Sequence, residues 1–332
     1  MEQFGFLTAT SEAQAVQAAA KSKTAQMGAT VRFVAGGTNL VDLMKLNVER
    51  PKQVVDINGL SMTTIQARPD GGLTLGALTR NADVANDATV KRDYAVLSEA
   101  ILSGASPQIR NMATTGGNLL QRTRCQYFRD LAHRCNKRDP GSGCDAMDGY
   151  NRMLAILGTS EHCIASNPSD QNVALMALDA TVNIRGARGE RSVPIGEFYR
   201  LPGNTPNIET VLEPGDLITR VTLPPAVPGA KSHYLKLRDR AAYEFALASA
   251  AVVLGVSGGT IKHARLALGG VGTIPWRAKE AEAVLVGKPA TEATFRQAAE
   301  AALRGAKPRN DNGLKVELAK RCIVHALKTV SA

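Results

Sequence analysis

The sequence predicts an α+β protein, in two domains or in one large domain with an insertion, and three observations carry that expectation. The chain has 332 residues, 44% hydrophobic and 21% charged, a globular composition long enough for two cores. A β-branched and aromatic run, Val31 to Val34, meets Gly36-Gly37 and passes through Thr38-Asn39 into Leu40, Leu43, Met44 and Leu46 at helical spacing. That is a strand, a glycine turn and a helix start. Proline-rich Pro224 to Gly229 then separates this half from three β-type runs and several alanine-rich stretches, the pattern of a small antiparallel sheet with helices.

In chain order, residues 8–20 read as a helix capped by Thr8, Thr10 or Ser11, with Ala13, Val16, Ala19 and Ala20 on one face. Val54, Val55 and Ile57 form a short strand; Leu73 to Ala77 alternates as a half-buried one. Tyr94 to Leu102 is helical. Residues 109–123 contain a second Gly-Gly-polar-Leu turn, Gly116 to Leu119, similar to Gly36 to Leu40. Residues 121–166 are polar, basic and glycine-containing, without helix or strand period before Met153, and read as an insertion held by something other than regular structure. Asn172 to Leu178 predicts a helix, 181–185 and 191–193 a hairpin around Arg188-Gly189-Glu190, and Leu217 to Leu223 a strand. After the linker come strands over 234–238, 247–256 and 261–268, then helices near 277–286, 291–304 and 314–329. The expected boundaries are 1–223 and 230–332.

Net charge is +10, which suits nucleic acid, an anionic cofactor or an acidic partner subunit. No nucleic-acid motif is present, and 4% aromatic content leaves little for base stacking. No run reaches the ~18 apolar residues of a membrane span. The start, Met1 to Phe6, lacks the basic and apolar regions of a secretory signal; the expectation is cytoplasm, or periplasm by export with a signal-bearing partner. His133, His162, His233, His263 and His325 are scattered and suggest no acid–base constellation.

The glycine turn at 36–37 puts backbone N–H groups where a phosphate can sit; an ordinary tight turn is the alternative. It is not the G-x-G-x-x-G fingerprint of a nicotinamide site. Two such turns suit opposite sides of a diphosphate. Four of the five cysteines lie within 39 residues, as Cys125-x9-Cys135-x8-Cys144-x18-Cys163, and Cys322 stands apart on a predicted core helix. An odd count argues against a disulfide framework. Long, uneven spacings suit an iron–sulfur cluster better than zinc, whose sites favour tight C-x2-C knuckles. Zinc and unrelated buried cysteines stay open as alternatives.

Val34 to Leu40, Leu75 to Thr79 and Ile109 to Leu119 together resemble the FAD pyrophosphate loops of the FAD-binding subunit in the xanthine oxidase and carbon monoxide dehydrogenase family. In most members the second loop runs directly into a Ser-Asp pair. Here that pair resembles Ser169-Asp170, and the segment between carries the four cysteines. The departure resembles the periplasmic aldehyde oxidoreductase type, whose FAD subunit also holds a 4Fe–4S cluster; benzoyl-CoA-reductase-type subunits carry a comparable insertion.

The resemblance implies an FAD-binding domain of the p-cresol methylhydroxylase type, then a small α+β domain. It implies that Ala35, Gly36, Gly37, Thr38, Asn39 and Leu40 bind the diphosphate, and that Gly117, Asn118 and Thr123 close its other side. Asp170 reaches the ribose or adenine end, Lys236 sits near the flavin ring, and Leu217 or Ile218 packs on it. Val34, Leu78, Ala113, Thr114, Leu120 and Ser169 complete the cofactor-binding set, and Cys125, Cys135, Cys144 and Cys163 hold the 4Fe–4S cluster. A surface lysine for Lys236 and a turn aspartate for Asp170 are the bland alternatives. The implied role is electron transfer from partner iron–sulfur clusters through FAD to an external acceptor. The implied partners, completing a heterotrimer, are a molybdenum-cofactor large subunit and a 2Fe–2S small subunit. A xanthine- or hydroxybenzoyl-CoA-type subunit and a self-contained flavin oxidase are competing expectations.

Overall fold

The computed structural model describes all 332 residues. β1 (Gly5–Thr8), α1 (Glu12–Ala19), β2 (Val31–Val34), α2 (Leu40–Lys45) and β3 (Gln53–Asp56) build a parallel three-stranded sheet in the order β1-β3-β2. The helix expected over 8–20 begins only at Glu12, where Ser11 accepts the Gln14 amide. Residues 5–8 instead pair with β3. This strand escaped sequence reading because Phe6 is 62% exposed, which breaks the hydrophobic pattern.

The second layer is an antiparallel sheet in the order β4-β5-β8-β6-β7. β4 (Ile65–Ala67) and β5 (Leu73–Gly76) lead out to a run of short helices: α3 (Asn81–Asn86), α4 (Ala88–Asp93), α5 (Ala95–Ser103), α6 (Pro107–Met112), α7 (Thr115–Leu119), α8 (Gln126–Arg129) and α9 (Asp170–Ala177). The chain returns through β6 (Thr181–Gly186), β7 (Gly189–Pro194), α10 (Ile195–Phe198) and β8 (Leu217–Leu223). Leu73, Leu75, Val182, Ile184 and Val221 from this sheet meet Val96, Leu97 and Ile101 of α5 and Val173 to Ala177 of α9 in one core.

After the exposed Pro224-Pro225 turn come β9 (Lys231–Leu237), β10 (Ala248–Ser257), β11 (Thr260–Gly269) and β12 (Trp276–Arg277), antiparallel in the order β12-β11-β10-β9. α11 (Lys279–Leu285), α12 (Glu292–Leu303) and α13 (Leu314–Ser331) cover one face. Cys322 lies in that core, as expected. No helix is long and apolar enough to cross a membrane.

The linker does not separate the halves. Tyr234, Ala251, Val253 and Ala267 from beyond it belong to the core of the second layer. The cysteine-bearing insertion is stitched to the C-terminal sheet as well: Ile156 and Leu157 both donate to the Val271 carbonyl at 2.8 and 2.9 Å, and their side chains enter the C-terminal core.

The polar residues of the insertion explain how it is ordered with so little regular structure. Arg138 donates to the carbonyls of Tyr127, Phe128 and Asp130, closing the C-terminal end of α8. The Asn136 side-chain oxygen accepts from the amides of Gly141 and Gly143 at 3.1 and 2.9 Å. Long side chains here hydrogen-bond backbone that a helix or sheet would otherwise satisfy.

Candidate functional site

Where the parallel sheet, the helices around α7 and the C-terminal sheet meet, the fold leaves a cavity of about 780 Å³, within the usual range for small-molecule and cofactor sites. The β2–α2 turn forms one wall. Gly37 sits at φ +71°, the left-handed region that favours glycine. Gly36 is fixed by packing: a Cβ there would lie 1.9 Å from the Met112 carbonyl oxygen. The two glycine loops thus touch each other, and this close approach is between backbones rather than between backbone and ligand.

The loops differ in what they offer. The amides of Gly36, Gly37, Thr38 and Asn39 have no hydrogen-bond partner within the chain, so four donors converge at a helix start. In the second loop, Thr115 and Gly116 donate to the carbonyls of Thr79 and Ala77, and the Gly117 amide donates to the Thr114 hydroxyl at 3.2 Å. Asn118 Oδ1 accepts from the Ser169 hydroxyl at 2.7 Å and from Gln121. That fixes the amide plane and leaves Nδ2 as the Asn118 donor. Asn39 Oδ1 likewise accepts the Arg122 amide, and its Nδ2 is buried without a partner.

Val34, Ala35, Gly36, Gly37, Thr38, Asn39, Leu40, Leu78, Ala113, Thr114, Gly117, Asn118, Leu120, Asp170, Leu217, Ile218 and Lys236 all line this one cavity. Thr123 and Ser169 do not. Thr123 is 3% exposed and donates to the Ser166 carbonyl inside the insertion. Ser169 caps α9 and orients Asn118 from behind; each hydroxyl is engaged by backbone or side chain away from the cavity.

Asp170 and Lys236, expected at the ribose or adenine end and near the flavin ring, are ion-paired at 2.8 Å, with side chains 9% and 3% exposed. Asp170 Oδ1 further accepts the Tyr234 hydroxyl at 2.6 Å, and Lys236 donates to the Ser103 carbonyl. Burial, and then the Asp170 charge, raise the Tyr234 phenol well above its ordinary value, so it serves only as a neutral donor. The trio ties α9 to β9 across the cavity floor.

Sequence reasoning missed Arg32, Arg124, Arg129, Arg240, Tyr243 and Phe245 on the cavity wall. Arg129 pairs with Asp42 at 2.8 Å, and the Arg124 guanidinium stands 5.1 Å over the Phe245 ring. Two aromatics in the short loop between two strand runs were the available signal for Tyr243 and Phe245.

The four insertion cysteines come together beside this cavity. Leu43, Val48, Tyr127, Phe128, Leu154 and Ile164 enclose Cys125, Cys135 and Cys163, with Cys144 at the edge of the same cluster. All five cysteines are free thiols. Burial pushes Cys125 up to about 12 and Cys144 up to about 11, and raises Cys163. Backbone N–H groups oppose burial: those of Phe128 and Tyr127 face Cys125, those of Ala146 and Met147 face Cys144, and Ala165 faces Cys163. No three His, Cys, Asp or Glu side chains are grouped so as to hold a single metal ion.

The sequence profile described as FAD binding domain in molybdopterin dehydrogenase matches residues 2–226, and that described as CO dehydrogenase flavoprotein C-terminal domain matches residues 232–330. The chain is 48% identical over 310 residues to the aldehyde oxidoreductase FAD-binding subunit PaoB of Escherichia coli K12, covering 93% of this chain and 94% of that one. It is 30% identical over 257 residues to the glyceraldehyde dehydrogenase medium chain of Sulfolobus acidocaldarius, covering 77% and 74%. Its fold matches a chain of the carbon monoxide dehydrogenase structure from Hydrogenophaga pseudoflava with a TM-score of 0.76, at 26% identity over 99% and 97% of the two chains. The chain belongs to the FAD-binding medium subunits of the molybdenum hydroxylase family.

Proposed function

We propose that this protein is the electron-transfer subunit of a molybdenum-dependent aldehyde oxidoreductase, and that its insertion holds a 4Fe–4S cluster next to FAD. One observation carries the reading: four free cysteines are gathered in one apolar cluster, with backbone amides facing three of their sulfurs, beside the large cavity. The donor set suits iron–sulfur ligation, because thiolates in a dry site need such N–H groups to offset burial. The 48% identity to an aldehyde oxidoreductase subunit supports the substrate class.

FAD, when bound, exchanges electrons singly or in pairs. The chain's own residues bind and orient. The free amides of residues 36–39 cradle the diphosphate and Asn118 Nδ2 adds a side-chain donor. Leu217 and Ile218 offer apolar surface to the ring, and the Asp170–Lys236–Tyr234 trio holds the floor rigid. Substrate oxidation belongs to a molybdenum-cofactor large subunit, reached through a 2Fe–2S small subunit in a heterotrimer; electrons leave to an external acceptor. The complex works in the periplasm, carried there by a signal-bearing partner, or in the cytoplasm.

Cofactor content of anaerobically purified protein tests the reading. The expected result is FAD together with iron that falls away in single Cys→Ser changes at Cys125, Cys135, Cys144 or Cys163 and persists in Cys322→Ser. Well-folded protein without iron, or iron indifferent to all four changes, overturns the cluster.

A further inference from the structure

We propose that Lys137 sets the reduction potential of the cluster, as the end of a buried ion-pair chain that runs from the cysteine group to the cofactor cavity. The proposal rests on the reading that the four cysteines hold a cluster. Lys137 follows Cys135 by two residues, and its side chain is 10% exposed. Its Nζ donates to Glu209 Oε1 at 2.8 Å and to the Pro206 carbonyl at 3.0 Å. Lys137, Glu209 and Arg122 line, together with Cys163, a small cavity of about 90 Å³.

From there the charges continue. Glu209 also pairs with Arg122, whose Nε meets it off the hydrogen-bonding axis. Arg122 Nη1 lies 2.6 Å from Glu49 Oε1, and Glu49 pairs with Arg32 at 2.9 Å. Arg32, Glu49 and Arg122 line the large cavity. Three cations therefore face two carboxylates, and the chain carries one uncompensated positive charge.

That surplus is out of balance for a structural network but suits an anionic neighbour. Charges buried to this extent interact more strongly than they would at a surface. Lys137 shares the small cavity with Cys163, so its field falls on that side of the cysteine group, while Glu209 is held ionised against its own burial by Arg122 and Lys137. A cluster ligated by four thiolates becomes more negative by one charge when it takes up one electron, with no bond made or broken. A fixed cation beside it favours the reduced form; a carboxylate favours the oxidised form.

The test is a mediated dithionite titration of the full chain, read by the spectrum of the reduced cluster, with iron and flavin quantified first. Lys137→Met is expected to keep iron and to lower the reduced-to-oxidised ratio at fixed potential about tenfold, equivalent to about 59 mV for one electron. Glu209→Gln is expected to shift it the opposite way, and Lys137→Arg to stay near wild type. An unmoved midpoint in iron-replete Lys137→Met, or shifts of the same sign in Lys137→Met and Glu209→Gln, overturns the proposal. If Lys137→Met loses iron, Glu209→Gln decides alone, and an unmoved midpoint there overturns it. Wild-type protein without iron fails at the quantification step and removes the functional reading instead.

Discussion

At Gly36 the sequence and the structure agree on the residue and differ on the reason. A glycine pair after a strand suggests room for a phosphate. The structure shows that the first glycine makes room for the Met112 carbonyl, and the donors free to meet a phosphate are the amides of residues 36–39. Gly36→Ala is therefore expected to push the two loops apart, costing about 1–3 kcal/mol. Thermal unfolding together with flavin content checks it: both fall, whereas unchanged stability shows that the loops part freely. Asp170 is the second case. Its pairing with Lys236 joins residues 66 positions apart, and no local pattern shows such a partner. Asp170→Asn leaves the Lys236 ammonium buried beside one carbonyl, and breaking a buried pair this way costs about 3–5 kcal/mol. A denaturant midpoint close to wild type argues against it.

Elements with a strong period were legible: β8, β10, β11, α12 and α13 fall close to their expected spans. β1, β4, α3, α4 and α6 were not anticipated. Each is short, and the three in this set that are helices have only six residues apiece. Helices that short depend on tertiary packing for stability, so their own sequences say little. The insertion is the opposite case. Apart from the single turn of α8, which was not anticipated, its lack of period agrees with the structure, and its order comes from Arg138, Asn136 and the enclosed cysteines, which sequence showed only as polarity and spacing. Of the expected cofactor residues, Gly36 and Gly37 were legible because close packing and a positive φ demand glycine there. Thr123 and Ser169 were displaced because a hydroxyl fits equally well in a cap or a cofactor contact.

For the molecule as a whole, the two halves on either side of the proline linker pack closely against each other. Lys315 on α13 shows how closely they are joined. It is fully buried, and its Nζ donates to the carbonyls of Met153, Leu154 and Gly270 at 3.1, 2.9 and 2.6 Å. Asn312 reinforces the same join through the Leu154 and Ala155 carbonyls. Burial pushes the Lys315 amine down to about 7, against these three acceptors; the unfolded chain holds the proton up to about 10.4. Between those values the unfolded state binds more protons, so the contribution of Lys315 to stability rises with pH and is flat below the folded value. The advantage of wild type over Lys315→Met in thermal unfolding is accordingly expected to widen from pH 6.5 to pH 9. An advantage that shrinks over that range contradicts the assignment.

The join also has a consequence for synthesis. Met153, Leu154 and Ala155 leave the ribosome more than 150 positions ahead of Asn312 and Lys315, which hold their carbonyls. The backbone beside the cysteine group is thus made long before the side chains that hold it. A truncation before α13 would leave the four thiols and their apolar surround in place and the Met153 carbonyl without its Lys315 partner.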